Sequence, residues 1–359
     1  MIQRNMAQVI TSNEYIKTNG EKFDFLRLIL VALVAGIHLS HTGFIARPVF
    51  RIAVPLFFII SSYLFFLRQH SLTSHENRKQ SLIRYVKRIL KLYLFWFIVL
   101  LPVTIDCRGW TTNVNIYTVI DIVRGFLFGS TFKASWFLMA SVIGVTIVWY
   151  LAERKVKDAW IIALGIVAYV VCCLVSNYHG LCEKIPYFTK MYRGYCFWFT
   201  EPYNSFPVAI LFVAIGKVLA QHKFHIPQGT LKVAIGVLLL CLYGEYFLTT
   251  HYELVIKDDC FFSLPPLSLC LFMLIGQNRP RHIGLDTLTM RSLSVIIYCC
   301  HNSIAYVLAQ QFRSIGIKID SGLELFVLYL LTMATASLLG YIILKLEKRK
   351  PFGLLKYSH

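Results

Sequence analysis

The sequence predicts an all-α protein that crosses a membrane about ten times, with both ends on the cytoplasmic side. Three observations lead there. Of its 359 residues, 57% are hydrophobic and 15% charged, where soluble domains have about 45–50% and about 25%; the mean hydropathy is +0.61. The apolar residues form continuous runs of roughly 20, the length of a spanning helix, and not the alternating segments of about 10 that a membrane β-barrel needs. Lys and Arg then divide unequally between the two sides those runs define.

The runs fall at about 25–44, 49–67, 90–106, 135–152, 159–176, 205–221, 231–249, 260–276, 292–312 and 323–345. Residues 1–24 are polar, carry Arg4, Lys17 and Lys22, and lack the apolar core of a cleaved signal peptide. They read as a cytoplasmic tail. Residues 25–345 read as one membrane domain, and 346–359 as a second, basic cytoplasmic tail. Of the 36 Lys and Arg, 25 lie in the segments this arrangement puts inside and 11 in those outside. Removing one span would turn the basic C-terminal tail outward, so an odd count is disfavoured.

Two outside segments are long. Residues 107–134 include an amphipathic stretch, Ile116 to Phe128, suited to lying along the interface. Residues 177–204 mix Tyr, Phe and Trp with charges, which fits either sugar contact or an interfacial aromatic belt. Six of the ten Cys lie inside apolar runs, where Cys behaves as a small hydrophobe. Cys182 and Cys196 share one outside loop and could be bridged there. No Cys/His spacing points to zinc. The formal charge of +18 reads as loop topology and attraction to anionic lipid, not as a nucleic-acid surface.

Ionisable groups inside spans are costly and prompt functional hypotheses. On the first span, Arg27 and His38 are eleven helical steps apart, about three turns. They share a face and stand roughly 16 Å apart along the axis. Arg27 lies at the inner mouth, where it can bind phosphate or serve as a snorkelling anchor. His38 reaches mid-membrane, where it can act as a general base or hydrogen-bond a neighbouring helix. Asp24, three residues before Arg27, can orient it. His41 shares part of the same face. Before the third span, Arg84, Lys87, Arg88 and Lys91 follow at helical spacing, a basic face fit for a soluble polyphosphate or for lipid headgroups.

These residues resemble the integral-membrane acyltransferase-3 family. Arg27 and His38 match its Arg, ten residues, His signature. Val54, Pro55, Phe57, Phe58, Ser61 and Tyr63 match its second-helix pattern, with Ser62 where Gly is usual. Arg88-Ile-Leu-Lys91 stands for its Arg-x-x-Arg, with Lys91 replacing the second Arg. Ser135-Trp136-Phe137-Leu138, Phe206-Pro207 with Gly216, and Ser294 through Tyr298 and His301 resemble later elements. Among members, the chain looks most like compact bacterial enzymes that O-acetylate surface-polysaccharide repeat units. The resemblance implies a bacterial inner-membrane enzyme. It would move an acyl group, in the first instance acetyl, from cytoplasmic acyl-CoA to a hydroxyl of an envelope glycan or lipid-linked glycan. His38 would be general base or acyl carrier. Arg27, Arg84, Arg88 and Lys91 would bind acyl-CoA, Asp24 would orient, and Trp136, Tyr298 and His301 would lie on the acceptor side. Acyl-CoA would be a co-substrate; no bound cofactor, metal or nucleic acid is expected. The alternative is a transporter or flippase for a glycolipid or polysaccharide, in which Glu245 of the seventh span would matter more.

Overall fold

Close helix packing organises the computed structural model, which describes residues 23–39, 46–110, 115–222, 224–277, 286–319 and 322–359. Among these every regular element is helical. The first helix, α1, covers 23–39. It is followed by α2 (Arg47–Phe50), α3 (Ala53–His70), α4 (His75–Val99), α5 (Leu101–Arg108), α6 (Ile116–Phe128), α7 (Trp136–Glu153), α8 (Asp158–Val175), α9 (His179–Cys182) and α10 (Phe188–Trp198). Then come α11 (Phe206–Gln221), α12 (Gln228–His251), α13 (Leu264–Gln277), α14 (Thr287–Ser314) and α15 (Gly322–Glu347).

Among the described residues, six helical segments are long and apolar enough to cross a membrane, or up to eight if each of two bent pairs is one span. One pair, α4 with α5, bends by 69° where Pro102 enters the first turn of α5 and cannot donate to the preceding ladder. The other, α10 with its 3₁₀ continuation to Asn204 and then α11, bends by 41° and again restarts at a proline, Pro207. The two remaining sequence-derived runs fall on α1 and on α13, a 14-residue helix. The basic stretch Arg84–Lys91 is part of α4 itself, which opens on an N-cap in which Ser74 Oγ accepts from the Asn77 amide. The amphipathic stretch is α6, capped by a reciprocal Asn115–Thr118 box.

Helix α11 is the axis of the bundle. Nearly every residue from Val208 to Lys217 is buried, and α3, α7 and α8 pack around it. Two glycines permit the approach. A Cβ on Gly165 of α8 would lie 2.7 Å from Leu211 Cα, and one on Gly216 would lie 2.0 Å from Ser62 Oγ. Ser62 is fully buried and donates to Phe58 O at 2.7 Å. The serine that departs from the family pattern thus fills the space facing Gly216. Small residues at such crossings let helix backbones meet where lipid gives no hydrophobic drive. On the outside, α12 exposes Val233, Val237, Leu240 and Phe247, a surface for lipid.

Two loop expectations meet different outcomes. Cys182 and Cys196 are both free thiols. The segment after α15 is not a loose tail: Lys350–Tyr357 is a 3₁₀ helix, Trp96 Nε1 donates to Ser358 O at 2.9 Å, and Lys91 Nζ lies over the Tyr357 ring at 5.1 Å. The residues of the N-terminal tail before 23, and His41, fall outside the described residues.

The α3–α11 contact gives a direct test. Gly216→Val should lower stability by about 1–3 kcal/mol, the usual cost of overpacking, read as thermal unfolding in detergent. Ser62→Gly in the same chain should recover part of that loss by emptying the space the new side chain enters.

Candidate active site

At its first turn, α1 carries Asp24 and Arg27 one turn apart, which places both on the face toward α14. Asp24 has no exposure, and a buried carboxylate is tolerable only when paired. It accepts from Arg27 Nη1 and, through both oxygens, from Arg291 of α14 at 3.0 and 2.8 Å. Arg88 of α4 stands close enough for its charge to act on Arg27. Two guanidiniums thus share one carboxylate, with the exposed Arg88 as a further charge nearby, an arrangement with spare capacity for a phosphate. Arg84 is exposed on α4 and Lys91 lies over Tyr357. Among the described residues, neither touches Asp24 or Arg27.

At the other end of α1, His38 opens onto a cavity of about 800 Å³. Its ring centroid is 5.8 Å from that of His301. His301 has no exposure, and its Nδ1 lies 2.8 Å from Tyr298 O and 3.1 Å from Ile297 O. Carbonyls only accept, so Nδ1 carries the proton and Nε2 keeps a lone pair. That Nε2 is buried and has no partner among the described residues. Because α1 and α14 are joined at Asp24–Arg291 and meet again at His38–His301, the two helices run parallel.

Trp136 lines the cavity with the loop before it. In that loop Ala134 has φ 66°, a left-handed conformation that costs a non-glycine residue energy and is found where structure over-determines it. Tyr298 supplies part of the restraint by donating its hydroxyl to Ala134 O. Its ring is buried against Phe57 and Phe137, so Tyr298 braces the cavity wall instead of lining it. Opposite stands a cluster that the sequence reading did not anticipate. Arg47 donates to both oxygens of Asp258, and Arg51 donates to Asp258 at 2.6 Å and to Asp259. This ties the start of the second span to the loop ahead of α13. Burial works against charge on Asp258, yet Arg51 and Arg47 hold its carboxyl below the ordinary range. At Asp259 burial prevails, with the neighbouring Asp258 adding to it, and the carboxyl is raised. Asp121 and Arg124 of α6 form a further pair on the cavity wall, at 2.6 Å.

With this geometry in hand, comparison with known proteins identifies the chain's family: residues 21–344 match the family described as an acyltransferase domain. The chain belongs to the acyltransferase-3 family. The matched region covers nearly its whole length. Similar curated proteins include an amino-acid racemase of Enterococcus faecalis, 24% identical over 344 residues, which cover 93% of this chain and 47% of that protein. A second amino-acid racemase of the same species is 25% identical, covering 78% and 40%. A serine/alanine racemase of Enterococcus gallinarum is 23% identical, covering 77% and 40%. The chain thus spans less than half the length of the curated relatives it matches. No solved structure matches significantly.

To the residues read from the sequence the structure adds Arg291, which the sequence reading counted only among the inside charges. A signal existed: Arg291 lies three residues before the Ser294–His301 element. It adds His301 as the close neighbour of His38. Among the described residues, no group of three or more His, Cys, Asp or Glu is placed to hold a metal ion.

The unequal carboxylates make a prediction about stability at pH 7. Asp258→Asn removes a buried partner from two guanidiniums and should cost about 3–5 kcal/mol. Asp259→Asn, at a site that already disfavours charge, should cost clearly less. Thermal unfolding of both variants in detergent decides it; equal losses would refute the division of roles.

Proposed function

We propose that the protein is a bacterial inner-membrane O-acyltransferase that moves an acetyl group from cytoplasmic acyl-CoA to a hydroxyl of a cell-envelope glycan or lipid-linked glycan. The observation that carries this reading is the pairing of two sites on one helix face. A guanidinium cluster stands at one end of α1 and a histidine open to a large cavity at the other, roughly 16 Å apart. In this reading ten segments cross the membrane with both ends inside, so that the guanidinium cluster faces the cytoplasm and the cavity faces away from it.

Arg27, Arg88 and Arg291 then hold the CoA phosphates, with Asp24 fixing the first and third. Arg84 and Lys91 extend the basic face outward and draw the polyphosphate in. The thioester arm runs along α1 toward His38. His38 takes the proton of the acceptor hydroxyl as its oxygen attacks the thioester carbonyl. The carbon–sulfur bond breaks, and the proton passes to the departing thiolate, giving the ester and free CoA. In the variant route the imidazole attacks first and carries the acyl group. His301 Nε2, an acceptor, is suited to orient the His38 ring, and Trp136 to contact the sugar.

The transporter reading has less support. Glu245 accepts from Tyr178 Oη, the Phe262 and Ser263 amides and Ser263 Oγ. It serves as a cap at the start of α13, not as a carboxylate free for a proton relay. The racemase names belong to longer proteins of which this chain matches less than half, and the matched family is an acyltransferase.

Membranes supplied with labelled acetyl-CoA should transfer label to glycan in a His38-dependent way. His38→Ala should lower transfer by at least ~10²-fold, the lower range for a lost general base, with protein level unchanged. Arg88→Ala should instead raise the KM for acetyl-CoA several-fold while leaving kcat closer to its original value. Full transfer by the His38 variant would overturn the assignment.

A further inference from the structure

The cavity beside His38 carries more positive charge than its own carboxylates can satisfy. Basic residues are depleted on the outer side of membrane proteins, and the ten-span reading puts only 11 of the 36 Lys and Arg here in outside segments. Six of those 11 line this one cavity. Three are matched: Arg47 and Arg51 by Asp258 and Asp259, and Arg124 by Asp121. The other three, Arg108, Lys133 and Lys257, stand against one further lining carboxylate, Glu201. Arg108 donates to the carbonyl of Ser130 at 2.6 Å, which leaves its charge unmatched. Lys133 lies over the Tyr306 ring, whose hydroxyl donates to Asp106. Lys257 has no ion-pair partner among the described residues. Arg51, Lys133 and Lys257 are close enough for their charges to act on His38.

Hydrogen-bond donors are in excess as well. Asn302 lines the cavity, is 7% exposed, and its buried Nδ2 has no acceptor among the described residues. The Nε atoms of Arg51 and Arg124 are likewise buried and have no partner among the described residues. Buried donors left without acceptors are costly, and here they accompany unmatched cations in a polar cavity. Both deficits are met by a ligand that brings oxyanions.

We propose that the acceptor is anionic: a glycan whose carboxylate or phosphate groups are held by Lys257, Lys133, Arg108 and Asn302 while its hydroxyl meets His38. This deepens the acyltransferase reading and rests on it for the role of the cavity.

The first test reads the product. Glycan labelled from acetyl-CoA in a His38-dependent way is run on an anion exchanger before and after mild-acid cleavage of any lipid diphosphate. Retention in both runs assigns a sugar acid, and retention only before cleavage assigns the phosphate. Flow-through in both overturns the anionic acceptor while leaving acyl transfer standing. The second test needs no catalysis. Purified protein without acetyl-CoA should bind oligogalacturonate, or inorganic pyrophosphate, at least about tenfold more tightly than methyl-esterified oligogalacturonate, a difference set by charge complementarity. Lys257→Ala should erase that preference and Lys257→Arg should keep it. Equal affinity for acid and ester without pyrophosphate binding, or no binding of either anion, overturns the proposal. Absence of any His38-dependent label would instead remove the acyltransferase reading, with the binding test still deciding the anion preference.

Discussion

The contact between Asp24 and Arg291 sets the geometry on which both halves of the site depend. A carboxylate without exposure must be matched where it is buried, and Asp24 is matched by one guanidinium from its own helix and one from α14. That double pairing locks α1 to α14 at one end. From there His38 lies fourteen residues along α1, about 21 Å, and His301 ten residues along α14, about 15 Å. The reach of the Arg291 side chain makes up the difference, so the two imidazoles arrive at the same depth. The charged contact at one end thereby fixes the spacing of the neutral one at the other.

Much of the fold was legible because it follows local periods and composition. The apolar runs, the amphipathic α6 and the Arg27–His38 face all come from spacing along one helix. The cavity's charged wall was not legible. Arg51 and Asp258 are 207 residues apart in sequence, and no period connects them. Asp258 and Asp259 in a loop look like solvated residues until the fold puts two arginines against them. Glu245 misled in the opposite direction: an acid in an apolar run invited a functional reading, but its neighbours across the fold are the amides and hydroxyls at the start of α13. Nor was the position of Lys91 over the Tyr357 ring legible, since the two are far apart in sequence.

Packing around α11 explains why the substitution at Ser62 is tolerated. Where the family pattern has glycine on the second span, this chain has serine, and the missing side chain sits across the interface at Gly216. The serine hydroxyl is absorbed by the carbonyl of Phe58 within its own helix, so no polar group is stranded against lipid. The close approach survives because Gly216, itself part of the resembled pattern, leaves the room that Ser62 Oγ takes up.

The parallel course of α1 and α14 also constrains parity. Two helices that enter a bilayer from the same face must have an odd number of crossings between them. The long segments between them, with each bent pair taken as one, are α2–α3, α4–α5, α7, α8, α10–α11 and α12, which is an even set. If each is a crossing, α13, described over Leu264–Gln277, has to supply the odd one. The loop that carries Asp258 and Asp259 would then stand at the mouth of a spanning helix, and the ion pairs it makes with Arg47 and Arg51 would clasp two transmembrane segments at one membrane surface.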